Sequence, residues 1–533
     1  MLRHLLRTVN LFDTAKSALF LCFLAACRGQ TGGGDQAGGR GLIYYETYDP
    51  RSLDPALSTD VPTGEMVTLL FDGLTQLDPD GRLLPGLSDH WTTDRRGQRY
   101  VFHLRSGVSF HDGRPLVAAD VKRSLVRVLD PATHGGRVWP LLPIVGAGDF
   151  ADGRARDVRG IEVLGDTAVA FTLTEPLAIF PKFLAMPVAS VVPSSVRADF
   201  GQRPVGTGPW RFVAWEHDDY LRFARNPSYW GGAPLSESLT VRIIPEPLTR
   251  AAEFLAGRIS VVEIPFGETK KWEQEHPDWL KRKPALRDVY VALNNRRGPL
   301  RDPNVRRAIN HAVNVPEILR TVWNGRGALA AGSIPPALGG GGSDPSRRPY
   351  SYDTTEARRL LGAAGLGDGF ALQLWRSGTN VELGRVAQAI QAQLAAVGIR
   401  VEIVSRDASS MREAVRKGDT DMAILDWWAD YPDADNFLYP LFHSASFGPG
   451  GNYSFYSDRV TDSLILVARR TVDQTSREAL YRRIETRVHE AAPWIYLWFP
   501  VDLWAQHPAI EGWDVPVIFN GQRWTKVRVA ARR

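Results

Sequence analysis

The chain has 533 residues, 44% of them hydrophobic and 23% charged, which is length enough for packed domains that bury most of their unfolded surface. Its formal charge of +5, spread over interspersed acids and bases, excludes the concentrated basic stripe that a nucleic-acid surface needs. Its two cysteines, Cys22 and Cys27, leave no material for a disulfide framework or a Cys-based metal site.

In chain order, residues 1–27 read as a processing segment. Arg3, Arg7 and Lys16 form a positive flank, and Ser17 to Ala26 form a ten-residue apolar run. At about 1.5 Å per residue that run is too short to cross a hydrocarbon core of about 30 Å, so it suits a signal h-region. It ends in Leu24-Ala25-Ala26-Cys27, which looks like a bacterial lipobox whose cysteine is diacylated and becomes the first mature residue. Residues 28–40 are rich in Gly and Gln and are expected to be a flexible tether, because they cannot bury enough apolar surface to offset chain entropy. Loss of residues 1–26 removes three basic side chains and Asp13, leaving a mature charge of +3. Beyond residue 27 no apolar run reaches about 18 residues, so no further span is expected.

Further along, strand and helix patterns alternate, which predicts α/β layers. Tyr100-Val101-Phe102-His103-Leu104 alternates after an Arg95-Arg96-Gly97 turn. A helix is expected over 118–129, with Asp120 in its first turn. Gly160-Ile161-Glu162-Val163 and the run from Thr167 to Leu173 flank a Gly165-Asp166 turn, a hairpin signal. A second helix is expected over 304–313, and residues 339–342 with Ser343-Asp344-Pro345 read as a surface loop. Asp353 with Glu356 three residues on resembles a capping box. A helix over 381–397 closed by Gly398 leads into a strand over 399–404, the αβ half of a parallel unit.

Several segments then resemble, in order, the family 5 extracellular solute-binding proteins, the peptide and nickel binders of bacterial ABC importers. They are Leu53-Asp54-Pro55, Phe71-Asp72-Gly73-Leu74 and Leu77-Asp78-Pro79-Asp80-Gly81, followed by the stretch from Pro85 to Val121 with its Phe110-His111-Asp112-Gly113. Gly206-Thr207-Gly208-Pro209-Trp210, the run from Arg225 to Trp230, and the run from Arg301 to Ala308 come next, and last Trp427-Trp428-Ala429-Asp430-Tyr431-Pro432-Asp433-Ala434-Asp435-Asn436-Phe437.

The resemblance implies a two-lobed periplasmic-binding-protein fold of type II, an α/β architecture with an extra domain inserted in the first lobe. Its expected boundaries here are 41–72, 203–288 and 499–533 for lobe I, 73–202 for the insert and 289–498 for lobe II. Residues 493–499 would be a return strand across the hinge, its alternating aromatics buried on one face. It also implies a non-enzymatic, monomeric clamp that closes on a short peptide, docks on an ABC permease and meets the membrane only through lipid on Cys27. No cofactor, metal or nucleic acid is expected.

A buried ligand ammonium needs a carboxylate. In peptide binders of this family the Asp of a W-x-x-D motif supplies it, which here is Asp430, although the same residue could cap a turn. Arg376 stands near the place where the dipeptide binders hold the ligand carboxylate. Ile424 replaces the Arg that binders of longer peptides carry three residues before the first Trp. Trp427 and Trp428 could line side-chain pockets or pack in the core. Main-chain pairing with an extended ligand has two candidate strands, at Asp60-Val61-Pro62 and at Val205-Gly206-Thr207-Gly208; the latter could equally be an interlobe turn. The alternative ligand on the same fold is a non-peptide solute such as a nickel chelate or haem. An enzyme is disfavoured, since no Gly-x-Ser-x-Gly and no His-Glu-x-x-His is present; His489-Glu490 lacks the second His. His103 and His111 read as strand and turn residues. Asp430, Asp433 and Asp435 lack the Gly and Glu of a calcium loop.

Overall fold

The computed structural model describes residues 41–339, 343–378 and 380–530. The processing segment, Cys27, the tether and residues 340–342 of the expected loop lie outside the described residues. Those from Gly41 onward form one compact unit.

Three sheets organise it. In the first, Leu42–Glu46 pairs in parallel with Ser238–Ile243, which continues antiparallel to Tyr220–Arg225 and then Trp210–Glu216. The second is antiparallel, in the order Ser88–Thr93, Arg99–Leu104, Ala168–Thr172, Ile161–Leu164. Its hairpin turns at Gly165, whose φ of 66° suits a residue without Cβ. The helix Ala118–Leu129 lays Val121, Leu125 and Val128 against Phe102 and Phe171 in this sheet's core.

The third sheet has eight strands. Phe370–Ser377 lies parallel to Ile399–Arg406 through the helix Val381–Ala395, with Gly398 at φ 88° between helix and strand. Next to them stand Met422–Trp428, Arg287–Leu293 and the 13-residue strand Trp494–Gln506. Helices cover both faces: Pro303–Ala312, Thr354–Ala363 and Val381–Ala395 on one, Asp435–Phe442, Arg459–Arg470 and Gln474–Ala491 on the other. Asp353 caps Thr354–Ala363 by accepting from the amides of Thr355 and Glu356, but Glu356 turns to Arg359 instead of closing the capping box.

One long strand holds the third sheet together. Trp494–Gln506 pairs through its first residues with Arg287–Leu293 and through its last with Leu280–Pro284 and Val261–Glu263. The run Trp494–Phe499 is buried on both faces, not on one. Helices sandwich this sheet, and a register shift between Val289 and Tyr290 throws Trp498 to the side of Ile495 and Leu497 while Trp494, Tyr496 and Phe499 pack on the other.

Several of the sequence segments singled out above meet at a buried carboxylate. Asp72 accepts from the Thr207 hydroxyl at 2.8 Å, the Tyr229 hydroxyl at 3.0 Å, the Trp230 indole at 3.1 Å and Arg523 at 2.7 Å. A fully buried charge persists only when paired and hydrogen-bonded, and this one stitches four distant stretches of chain into one body.

Candidate ligand-binding site

Two adjoining cavities lie between the first and third sheets, the helix Val61–Leu70 and the segments around Arg137 and Pro187. The larger, about 320 Å³, is walled by Tyr44 and Glu46 of the first sheet, Glu65 of the helix Val61–Leu70, and Arg287, Asp502 and Trp428 of the third sheet. The smaller, about 200 Å³, is walled by Asp60, Arg137, Pro187 and Asp430, among others. Val61, Trp428 and Phe519 line both, so the two are compartments of one cleft.

Asp430 is held there by the fold of its own motif. Asn436 Oδ1 accepts from the Asp430 amide at 3.0 Å and from the Trp427 indole at 3.2 Å. Tyr431 donates to Asp435 at 2.8 Å, and Asp433 accepts from the Asp435 amide at 3.0 Å and from Tyr481 at 2.9 Å. These bonds spend the spare acids of the motif on structure and leave Asp430 facing the cleft. Its Oδ1 lies 2.6 Å from Arg137 Nη1, while Arg137 Nη2 donates to the Thr59 carbonyl at 3.0 Å. Burial pushes the Asp430 carboxyl up, partly countered by Arg137.

The two tryptophans diverge because neighbours on a strand face opposite ways. Trp428 is 48% exposed, its ring 4.3 Å from the Arg287 guanidinium, and its indole donates to Asp426 at 2.7 Å. Trp427 packs against the core on the far side of the sheet, close to Gly451.

Three expectations change. Asp60-Val61-Pro62 is not a strand: Asp60 caps the helix Val61–Leu70, accepting from the Thr63 amide, with Pro62 in the first turn. Val61 still lines the cleft, but from a helix end. Gly206 and Gly208 lie outside both cavities, and their main-chain groups bond internally. The Gly206 carbonyl accepts from the His111 amide and its N–H donates to the His111 ring; the Gly208 N–H donates to the Leu70 carbonyl, and its own carbonyl accepts from Asn226. Thr207 is buried on Asp72. Strand addition at these two glycines therefore has no free groups to use. Arg376 also lies outside the cavities, its guanidinium on the carbonyls of Ser377 and Asn380 at the start of the helix Val381–Ala395.

The guanidinium in the larger cavity is instead that of Arg287, 3.5 Å from Asp502. Neither Arg287 nor the acids Glu46, Glu65 and Glu263 of the same wall carries a sequence signal, since each sits singly in an unremarkable strand or helix and only folding brings them together. A charged residue in a strand flanked by aromatics, as Glu46 is by Tyr44 and Tyr45, is the nearest thing to a local hint.

This architecture is shared with known proteins. Residues 82–449 match the bacterial extracellular solute-binding proteins, family 5. The chain belongs to that family. Glutathione-binding protein GsiB of Pectobacterium atrosepticum is 31% identical over 458 residues, 84% of this chain and 86% of the relative. Among solved structures, the periplasmic binding protein DppA of Helicobacter pylori, in complex with the peptide STSA, superposes with a TM-score of 0.77 at 29% identity, covering 92% of this chain and 98% of that one. HbpA2 of Haemophilus parasuis gives 0.79 at 25% identity, covering 92% and 100%. The fold is thus the two-lobed type II fold of periplasmic binding proteins, and the family is one of non-catalytic, solute-binding components of ABC importers.

Proposed function

We propose that this chain captures short peptides in the cleft and hands them to a membrane permease, held near the membrane by lipid on Cys27. In this reading 41–72, 203–288 and 499–533 form lobe I, 73–202 its insert and 289–498 lobe II. Asp430 holds the ligand ammonium, Trp428 and Val61 flank the ligand, and Trp427 acts by fixing the Asp430 loop. The observation that carries the reading is the placement of Asp430 on a cleft wall with its motif folded to present it. A relative named for glutathione and a solved relative holding the peptide STSA support it. The cavity volumes of about 320 and 200 Å³ favour a short ligand, since small-molecule pockets run from roughly 300 to 1,000 Å³.

Arg137 is paired with the Asp430 carboxylate. A ligand ammonium must share or displace that guanidinium, and the exchange of one cation for another keeps the carboxylate paired throughout. Arg376 has no part in this reading, and the non-peptide alternative of a carboxylated chelate is disfavoured by a larger cavity with four carboxylates on its wall and one guanidinium.

The test is calorimetric titration of free-amine and N-acetylated di- and tripeptides. Asp430→Ala is expected to weaken the free-amine ligands by about tenfold or more, the worth of a charge-assisted bond, and the acetylated ones far less. Equal losses for both would sink the assignment of Asp430 to the amine.

A further inference from the structure

The larger cavity carries an uneven charge. Of its four acids, two have a guanidinium partner: Asp502 lies 3.5 Å from Arg287, and Glu263 lies 3.4 Å from Arg326. The other two make no salt bridge among the described residues. Glu46, at the end of the strand Leu42–Glu46, and Glu65, one turn into the helix Val61–Leu70, stand with Tyr44 on the wall of the same cavity. Glu46 is only 6% exposed, and its Oε1 has no hydrogen-bond partner. Asp60, the nearest further acid, has one carboxylate oxygen unbonded as well, with Arg51 4.0 Å away at the surface.

Carboxylates brought together on a desolvated wall repel one another unless a cation stands between them. Burial pushes both up, Glu65 to about 7. Around the pair stand aromatic rings that face the same cavity. Tyr44 lies 5.0 Å from Trp524, Trp524 is 6.5 Å from Trp513, and Trp513 is 5.6 Å from Trp504. An apolar aromatic sleeve ending in an underpaired carboxylate pair suits one kind of group: a long aliphatic stem with a positive head, which gains from the ring faces and from the carboxylates together.

We propose that the larger cavity is a subsite for a cationic side chain of the bound peptide, with the Lys or Arg head group seated between Glu46 and Glu65. This deepens the peptide reading and rests on it. The α-amine goes to Asp430 in the smaller cavity and the basic side chain to the Glu pair in the larger, so one ligand fills both compartments of the cleft. A ligand rich in carboxylates, glutathione included, meets the wrong charge in this subsite.

The test is a titration series on the purified chain with tripeptides of alanine carrying one lysine at the first, second or third position. Each is paired with its norleucine counterpart, which keeps the stem and loses the charge, and glutathione serves as the anionic comparator. At one position lysine is expected to bind at least about tenfold tighter than norleucine, and glutathione more weakly than that lysine peptide. Glu46→Gln and Glu65→Gln are expected to bring the lysine-to-norleucine ratio close to one while norleucine binding stays within a few-fold. The unmutated protein alone can overturn the proposal: peptides that bind with no lysine preference at any position remove the cationic subsite and leave the peptide reading standing. Failure of every peptide to bind removes both. A lysine preference that survives both Gln variants, each checked for an unchanged melting transition, places the cation elsewhere and overturns the assignment to this pair.

Discussion

Glu65 shows how a single side chain can report the state of the cleft. Glu46, Tyr44 and Tyr48 around it are acidic or hydroxylic, and among the described residues it makes no salt bridge. Its carboxyl is held neutral up to about pH 7 by burial, well above its ordinary range. A carboxyl raised in the folded state binds more protons folded than unfolded, so its contribution to stability is full below its ordinary value and is lost as pH rises through about 7. Denaturant unfolding should therefore show a smaller loss of stability between pH 5.5 and pH 8 in Glu65→Gln than in the unmutated protein, by on the order of 1–3 kcal/mol at about 1.4 kcal/mol per unit. Parallel pH slopes for the two proteins would contradict this. At the same scale Asp433 runs the other way. Burial alone would raise it, but Lys182 at 2.6 Å and Arg477 hold it below the usual carboxylate range.

At the scale of elements, the glycine-rich turn before Trp210 has a packing role that its composition conceals. A Cβ on Gly206 would stand 2.0 Å from the Leu70 carbonyl oxygen, and one on Gly208 2.5 Å from the Leu70 carbonyl carbon. Main chain cannot give way as a side-chain tip can. Gly206→Ala should lower stability by about 1–3 kcal/mol, the usual cost of overpacking, while the ratio of affinities among peptides stays unchanged. Altered selectivity with intact stability would instead restore this turn to the binding site. The turn's permissiveness to close approach was legible in the sequence; its partner was not, because the end of the helix Val61–Leu70 reaches it from more than a hundred residues away. At 60–62 the sequence suggests a strand where a helix begins, for a local reason. Asp-Val-Pro gives no period, and Pro suits an extended segment as well as a first helical turn.

Across the whole molecule, the body built on Ser88–Thr93 and its partners meets the third-sheet body through opposite charges. Lys182 pairs with Asp433, Arg137 with Asp430, and Glu175 with Arg470. All three pairs join the two bodies, so moving one body away from the other requires breaking them. A ligand that bridged both bodies would favour the arrangement in which they are held together. Lys182→Met should therefore shift the ligand-free protein toward a more open shape, seen as a larger radius of gyration in solution scattering. Saturating peptide should restore the wild-type value. An unchanged radius in the ligand-free variant would show that closure does not depend on this pair.

Local pattern and the ordered segments determined the architecture of this protein: the alternation of strand and helix, the hairpin at Gly165, the helix 118–129, the Gly398 boundary, and the family itself. These are properties that a few neighbouring residues enforce through dihedral preference and apolar period. The Asp430 loop was legible for the same reason, since its bonds close within one short segment. Only the tertiary structure decided what surrounds that loop. Arg137 on Asp430, the convergence of distant segments on Asp72, and the placing of Glu46 and Glu65 on one aromatic-lined wall all join residues far apart in the chain. Charge and desolvation act through space, and no spacing along the chain records which carboxylates folding leaves without a cation.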